Sequence, residues 1–266
     1  MEKYQPDPKV YNPQNEYGAS QREPNLLSKS NPEEYRQLCA VVKNHFPDMS
    51  QEQIDELLKR LRSEGCGYVA MVNSLFEAFI HNPRLFREKF GFPMYSSDGT
   101  LNYNQVLVDL YCKTDNHNGG RFLFFTWDIF KENEDVIWEF DESERRLKPT
   151  SKPHGNNELQ MQYRWESYCK EYGIDVKVDI NRFITPENFE KYAKKGSVSI
   201  LCSDFKLYNA SGKETHVKNG HYMTITGAES GKYIVSSWGD RYTLNPKDIK
   251  GFKYYQVIRY SKQTFE

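Results

Sequence analysis

The stretch GHYMTITGAESGKYIVSSWGDRYTL, residues 220–244, decides how the chain is read. YMTITG (222–227) and KYIVSSW (232–238) are rich in β-branched and aromatic residues, and GAESGK (227–232) between them is a tight turn. The pattern predicts a β-hairpin. Five of the six histidines fall at helix ends or in polar loops: His45, His81, His117, His154 and His216. His221 alone opens a strand. A strand end holds a side chain rigidly, as a proton-transferring base requires. Gly220 before it leaves room for a substrate. The hairpin places Ser236 on the strand paired with that of His221, where a hydroxyl would orient the imidazole, and Trp238 would shield that bond from water. Asp240, four residues further on, is the second candidate for this role. An ordinary strand-end histidine and a core tryptophan would leave the same traces.

The partner for such a base lies upstream, in SEGCGYVAMVNSLFEAF (63–79). Val69, Val72, Leu75, Phe76 and Phe79 follow at helical spacing and predict a buried helix. Cys66 stands at its start, flanked by Gly65 and Gly67. Unpaired N–H groups and the positive end of the helix dipole favour a thiolate there, and the thiolate is the nucleophile. The competing reading is a small, packed residue.

The rest of the chain sets the architecture. Helices are expected over 33–45, from Ser50 to Arg62 with a Ser50–Gln53 capping box, over 103–111 and over 158–171. Another should start at Thr185 as N-cap, with Pro186 in its first turn, and end at Gly196. IDVKVDI (174–180), SVSILC (197–202) and YYQVIRY (254–260) add strands to the hairpin. RFLFFTWDIF (121–130) fits a strand or a buried helix equally, and 141–158 is polar. Helices first and a mostly antiparallel sheet afterwards give an α+β fold. Residues 1–30, rich in Pro, Asn, Gln and Ser, read as a disordered or surface arm.

Composition narrows the function. The 266 residues carry 36 basic and 37 acidic side chains, so no cationic excess points to nucleic acid or an anionic membrane. Mean hydropathy is −0.82, and aromatic residues at 15% supply the core instead. No run of ~18 apolar residues predicts a membrane span. The opening residues lack the apolar segment of a Sec signal, which predicts a cytoplasmic protein or an effector exported without one. Five widely spaced cysteines and no CxxC argue against a disulfide framework or structural zinc, and no cofactor is expected.

GCGYVAMV and GHYMTITGAESGKYIVSSWG together resemble the papain-like cysteine peptidases, most of all the bacterial branch that includes the bacteriocin-leader-processing peptidases. The stretch YGIDVKVDINRFITPENFEKYAKKGSVSIL is similar to the segment that precedes the histidine in that branch. The resemblance implies a papain-like domain over 31–266, with Cys66 as nucleophile, His221 as base and an orienting residue at the position of Ser236. Cys66 and His221 are further apart than the ~130–150 residues usual for papain-type enzymes, which implies an insertion at about 84–156. The family carries Asn or Asp where this chain has Ser236. It also carries an oxyanion-hole Gln shortly before the cysteine, where residues 59–64 read Lys-Arg-Leu-Arg-Ser-Glu.

The implied activity is a cysteine-nucleophile hydrolase or acyl-transfer enzyme acting on a protein or peptide through a thioester: a peptidase, deamidase or transglutaminase. Such domains also serve as toxin modules of bacterial effectors, which would imply an immunity or inhibitor protein as partner. The alternatives are a papain-like binding module with impaired catalysis, and a metal site built from Cys202, His216 and His221.

Overall fold

The computed structural model describes residues 3–14, 16–114 and 158–265, together with the backbones of 120–122, 125–127, 137–141 and 146–150. The helices are α1 (Leu27–Ser30), α2 (Pro32–His45), α3 (Gln51–Glu64), α4 (Cys66–Phe79), α5 (Pro83–Phe90), α6 (Tyr103–Thr114), α7 (Glu158–Glu171) and α8 (Phe189–Ala193). Two small antiparallel pairs, β1 (Gly120–Phe122) with β2 (Phe125–Trp127) and β3 (Ile137–Asp141) with β4 (Arg146–Thr150), lie between α6 and α7 in the chain. The remaining strands are β5 (Val176–Asn181), β6 (Ser197–Cys202), β7 (Phe205–Asn209), β8 (Glu214–Val217), β9 (His221–Glu229), β10 (Lys232–Ser237), β11 (Asp240–Leu244) and β12 (Lys253–Tyr260). They form one eight-stranded antiparallel sheet in the order β5-β12-β6-β9-β10-β11-β7-β8. The fold is α+β, and no described helix is long and apolar enough to cross a membrane.

Local chemistry explains most boundaries. Asn31 caps α2 by accepting from the Glu34 N–H, with Pro32 in the first turn. Ser50 and Gln53 make both bonds of the capping box at α3. Helix α4 is apolar nearly all round and accordingly lies in the core: every residue from Gly67 to Phe76 is buried. The expected helix at Thr185 starts later. The Asn188 N–H donates to the Thr185 carbonyl at 3.1 Å, closing a turn, and α8 runs only from Phe189 to Ala193.

The sheet separates two cores by the alternation of its side chains. Tyr222, Leu201 and Ile258 face the helical layer, while Met223, Ile225, Ile200 and Val257 join a second core closed by Phe189 of α8.

Two expected boundaries are corrected. Residues 1–30 are not a loose arm: Val10, Tyr11, Tyr17, Ala19 and Leu27 are buried in the helical core. Nor is all of 84–156 an insertion, because Phe86, Tyr103, Val106, Leu107 and Leu110 belong to that same core. The RFLFFTWDIF stretch forms parts of β1 and β2. His117 and His154 lie outside the described residues, as do the side chains of the polar stretch before α7.

Candidate active site

Helix α4 packs against β9, where Gly67 permits the close approach, and Gly65 permits that of α3 and the N-terminal arm. A Cβ at Gly67 would come within 2.6 Å of the Met161 terminal methyl and 3.2 Å of the Tyr222 ring. At Gly65 it would meet the Leu61 carbonyl oxygen at 2.5 Å and the Gln21 Cβ at 3.0 Å. The thiol therefore lies where α3, α7, β9 and the N-terminal arm converge.

The Cys66 sulfur lies on the helical side of the sheet beside the backbone of Tyr222, while the ring of His221, the preceding residue on β9, faces Phe205 and Trp238 of the second core. The backbone N–H groups of Tyr222, Gly67 and Cys66 itself approach the sulfur and favour its charged form. Burial outweighs them, and with the Glu64 carboxylate adding in the same sense, the thiol is pushed above its ordinary value. The expectation of an easily ionised thiol at a helix start is thus corrected: desolvation exceeds the dipole's contribution. His221 is buried, whereas Cys66 keeps part of its surface exposed. Loss of solvent lowers it from 6.5 to about 3, and the Arg22 guanidinium adds to the shift. Both groups are neutral at rest.

The orienting residue differs from the one expected. His221 Nε2 lies 2.8 Å from Ser237 Oγ. An uninterrupted hairpin ladder would put Ser236 on the face of His221. The ladder is not uninterrupted: Ile234 pairs with Gly227 but Val235 pairs with Ile225, so Thr226 is an extra, bulged residue. The bulge shifts the register by one and turns Ser237 to the face of His221 and Ser236 to the opposite one. Ser236 Oγ donates to the Tyr17 carbonyl and lies 3.4 Å from Asn73 Nδ2. Asp240 is exposed at the start of β11, opposite Ser237 across the turn, and no hydrogen bond joins it to His221.

Trp238 is stacked on His221, with ring centroids 4.5 Å apart. It holds φ at +53° in the tight turn to Gly239 at +82°, a conformation that costs a bulky residue roughly 1–3 kcal/mol. The Arg22 guanidinium lies 4.2 Å from the Trp238 ring centroid. Room beside Gly220 is limited, since a Cβ there would lie 3.2 Å from the Phe252 ring.

The N-terminal arm supplies what local sequence did not. The Tyr17 N–H donates to the Gly239 carbonyl at 2.7 Å, and the Ala19 N–H to Asn73 Oδ1 at 2.8 Å. Gln21 is thereby laid beside Gly65, 4% exposed, with Oε1 buried and unpartnered. An orphaned buried polar atom calls for an explanation. Its position 45 residues before Cys66 hid it from any search near the cysteine.

The other histidines are engaged elsewhere. His45 bonds Asp109 at 2.7 Å, and Tyr168 and Tyr172 donate to the same carboxylate. His216 bonds Asp204 at 2.7 Å on the surface. Cys202 pairs with His221 across the β6–β9 ladder, yet among the described residues no group of three or more His, Cys, Asp or Glu is placed to hold a metal ion.

The chain matches no protein-family model, no curated protein and no solved structure.

Proposed function

We propose that the protein is a papain-like cysteine hydrolase or acyl-transfer enzyme acting on a protein or peptide. The observations that carry this reading are the Cys66 sulfur beside the backbone N–H of Tyr222, the residue after His221 on β9, and the His221 imidazole held at Nε2 by buried Ser237 under Trp238. With Nε2–H donating to Ser237, Nδ1 is left as the proton acceptor. The Cys66 sulfur attacks the acyl carbon as its proton passes to His221. The leaving group takes that proton, and water or an amine then resolves the thioester. No side chain caps the start of α4, so the Cys66 N–H is one donor to the oxyanion, and the side-chain N–H of Gln21, whose Cβ lies beside Gly65, is the second. A neutral resting pair fits an enzyme whose thiol ionises as substrate displaces water, rather than one with a standing ion pair.

The substrate-independent test is acylation by p-nitrophenyl acetate. The expected result is an acetyl thioester mapped to Cys66, absent in Cys66→Ala and formed about a hundredfold more slowly in His221→Ala, the lower end of what general-base help contributes. Acetylation that favours Cys39, the other cysteine that is not fully buried, or that ignores the loss of His221, would sink the reading. The same result would favour a binding module on this scaffold.

A further inference from the structure

Arg22 is a cation beside Trp238, with its field on His221, that the mechanism leaves unused. Its guanidinium carbon lies over the Trp238 ring, 4.2 Å from the centroid. Stacking uses the flat face of a guanidinium and leaves its in-plane N–H edge free for a carboxylate, which it can hold with two parallel bonds. No ion pair or side-chain hydrogen bond engages that edge among the described residues, and Arg22 is exposed. The neighbouring acids do not claim it. Glu23 turns to the other side of the arm, towards Asn104 and Glu34. Asp240 acts on Tyr242, as Arg22 does, without pairing with Arg22.

The position is built, not incidental. The arm is pinned on both sides of Arg22: Tyr17 and Ala19 are hydrogen-bonded to Gly239 and Asn73, and Leu27 is buried. Gly239 is close-packed on the arm, since a Cβ there would lie 3.3 Å from Ser20 Cβ. The left-handed Trp238 is what presents its ring to both His221 and Arg22. The cation's field reaches the imidazole.

We propose that Arg22, stacked on Trp238, is a specificity residue that binds a carboxylate next to the reacting carbon, so that the site takes acidic substrates: an Asp or Glu side chain, or a terminal carboxylate, flanking the scissile acyl group. This rests on Cys66 being the nucleophile. The arm thus supplies both the second oxyanion donor, Gln21, and the neighbouring substrate anchor.

Iodoacetate and iodoacetamide test it, because they deliver the same alkyl carbon with and without a carboxylate. The rate ratio of the two at Cys66 is measured at one alkaline pH and divided by the ratio for N-acetylcysteine, which cancels the thiolate fraction. The wild-type protein should prefer iodoacetate roughly tenfold, a modest yield for one charge-assisted hydrogen bond. Arg22→Gln should bring the normalised ratio to about one, and Arg22→Lys should keep part of it. Both changes are on an exposed side chain, so circular dichroism should be unchanged. An equal ratio in wild type and Arg22→Gln would overturn the proposal alone and make Arg22 a staple between the arm and the turn. Cys66 left unlabelled by both reagents would overturn the nucleophile reading as well.

Discussion

His221 Nε2 and Ser237 Oγ lie 2.8 Å apart, both residues buried, with Trp238 stacked against the imidazole. A hydrogen bond to a group that becomes charged during the reaction contributes about 1.5–3 kcal/mol. Ser237→Ala should therefore slow acylation of Cys66 by on the order of 10–100-fold. Ser236→Ala should leave that rate nearly unchanged. Its cost falls on the arm, because Tyr17 O loses its donor; faster proteolysis before Leu27 would report it. A larger rate loss for Ser236→Ala than for Ser237→Ala would contradict the register described above.

The buried, neutral His221 makes stability depend on pH. Its folded value, about 3, lies below its unfolded value near 6.5. Between these limits the unfolded chain binds a proton that the folded chain does not. The contribution is complete above pH ~6.5 and falls by about 1.4 kcal/mol for each unit of acidification towards pH 3. Below that, both states are protonated and the loss stops. Urea unfolding at pH 7 and pH 5 should show wild type losing stability more steeply than His221→Asn, by roughly 2 kcal/mol over that interval. Parallel curves would mean that the imidazole titrates normally in the fold.

Gly65 and Gly67 differ in what blocks a methyl group. At Gly67 the closest atom is the mobile end of Met161, and alanine gains about 1 kcal/mol in helix propensity. At Gly65 the obstacle is the Leu61 backbone carbonyl. Gly67→Ala should be tolerated within about 1 kcal/mol, and Gly65→Ala should cost roughly 1–3 kcal/mol. Chemical denaturation of the two variants checks the order. Gly65→Ala should also slow acylation, by displacing Gln21.

Much of this was written locally. The capping box at Ser50, the apolar helix after Cys66 and the hairpin over 222–238 each depend on neighbours within a few residues, so side-chain pattern alone fixed them. The α+β class follows from that pattern. Three features were decided only in three dimensions. A bulge at Thr226 exchanged Ser236 for Ser237, because a shift of one residue turns a whole strand over and nothing in TITGAESG announces it. Cys66 and His221 were raised and lowered by burial, which depends on what packs over them rather than on their position in a helix or strand. Finally, the polar N-terminal arm docked through scattered residues, Val10, Tyr11, Tyr17 and Ala19, too few and too irregular to form a period. Its hydrogen bonds to Asn73 and Gly239 span distances in the chain that no local signal reports, and they help bring Gln21 and Arg22 to the site.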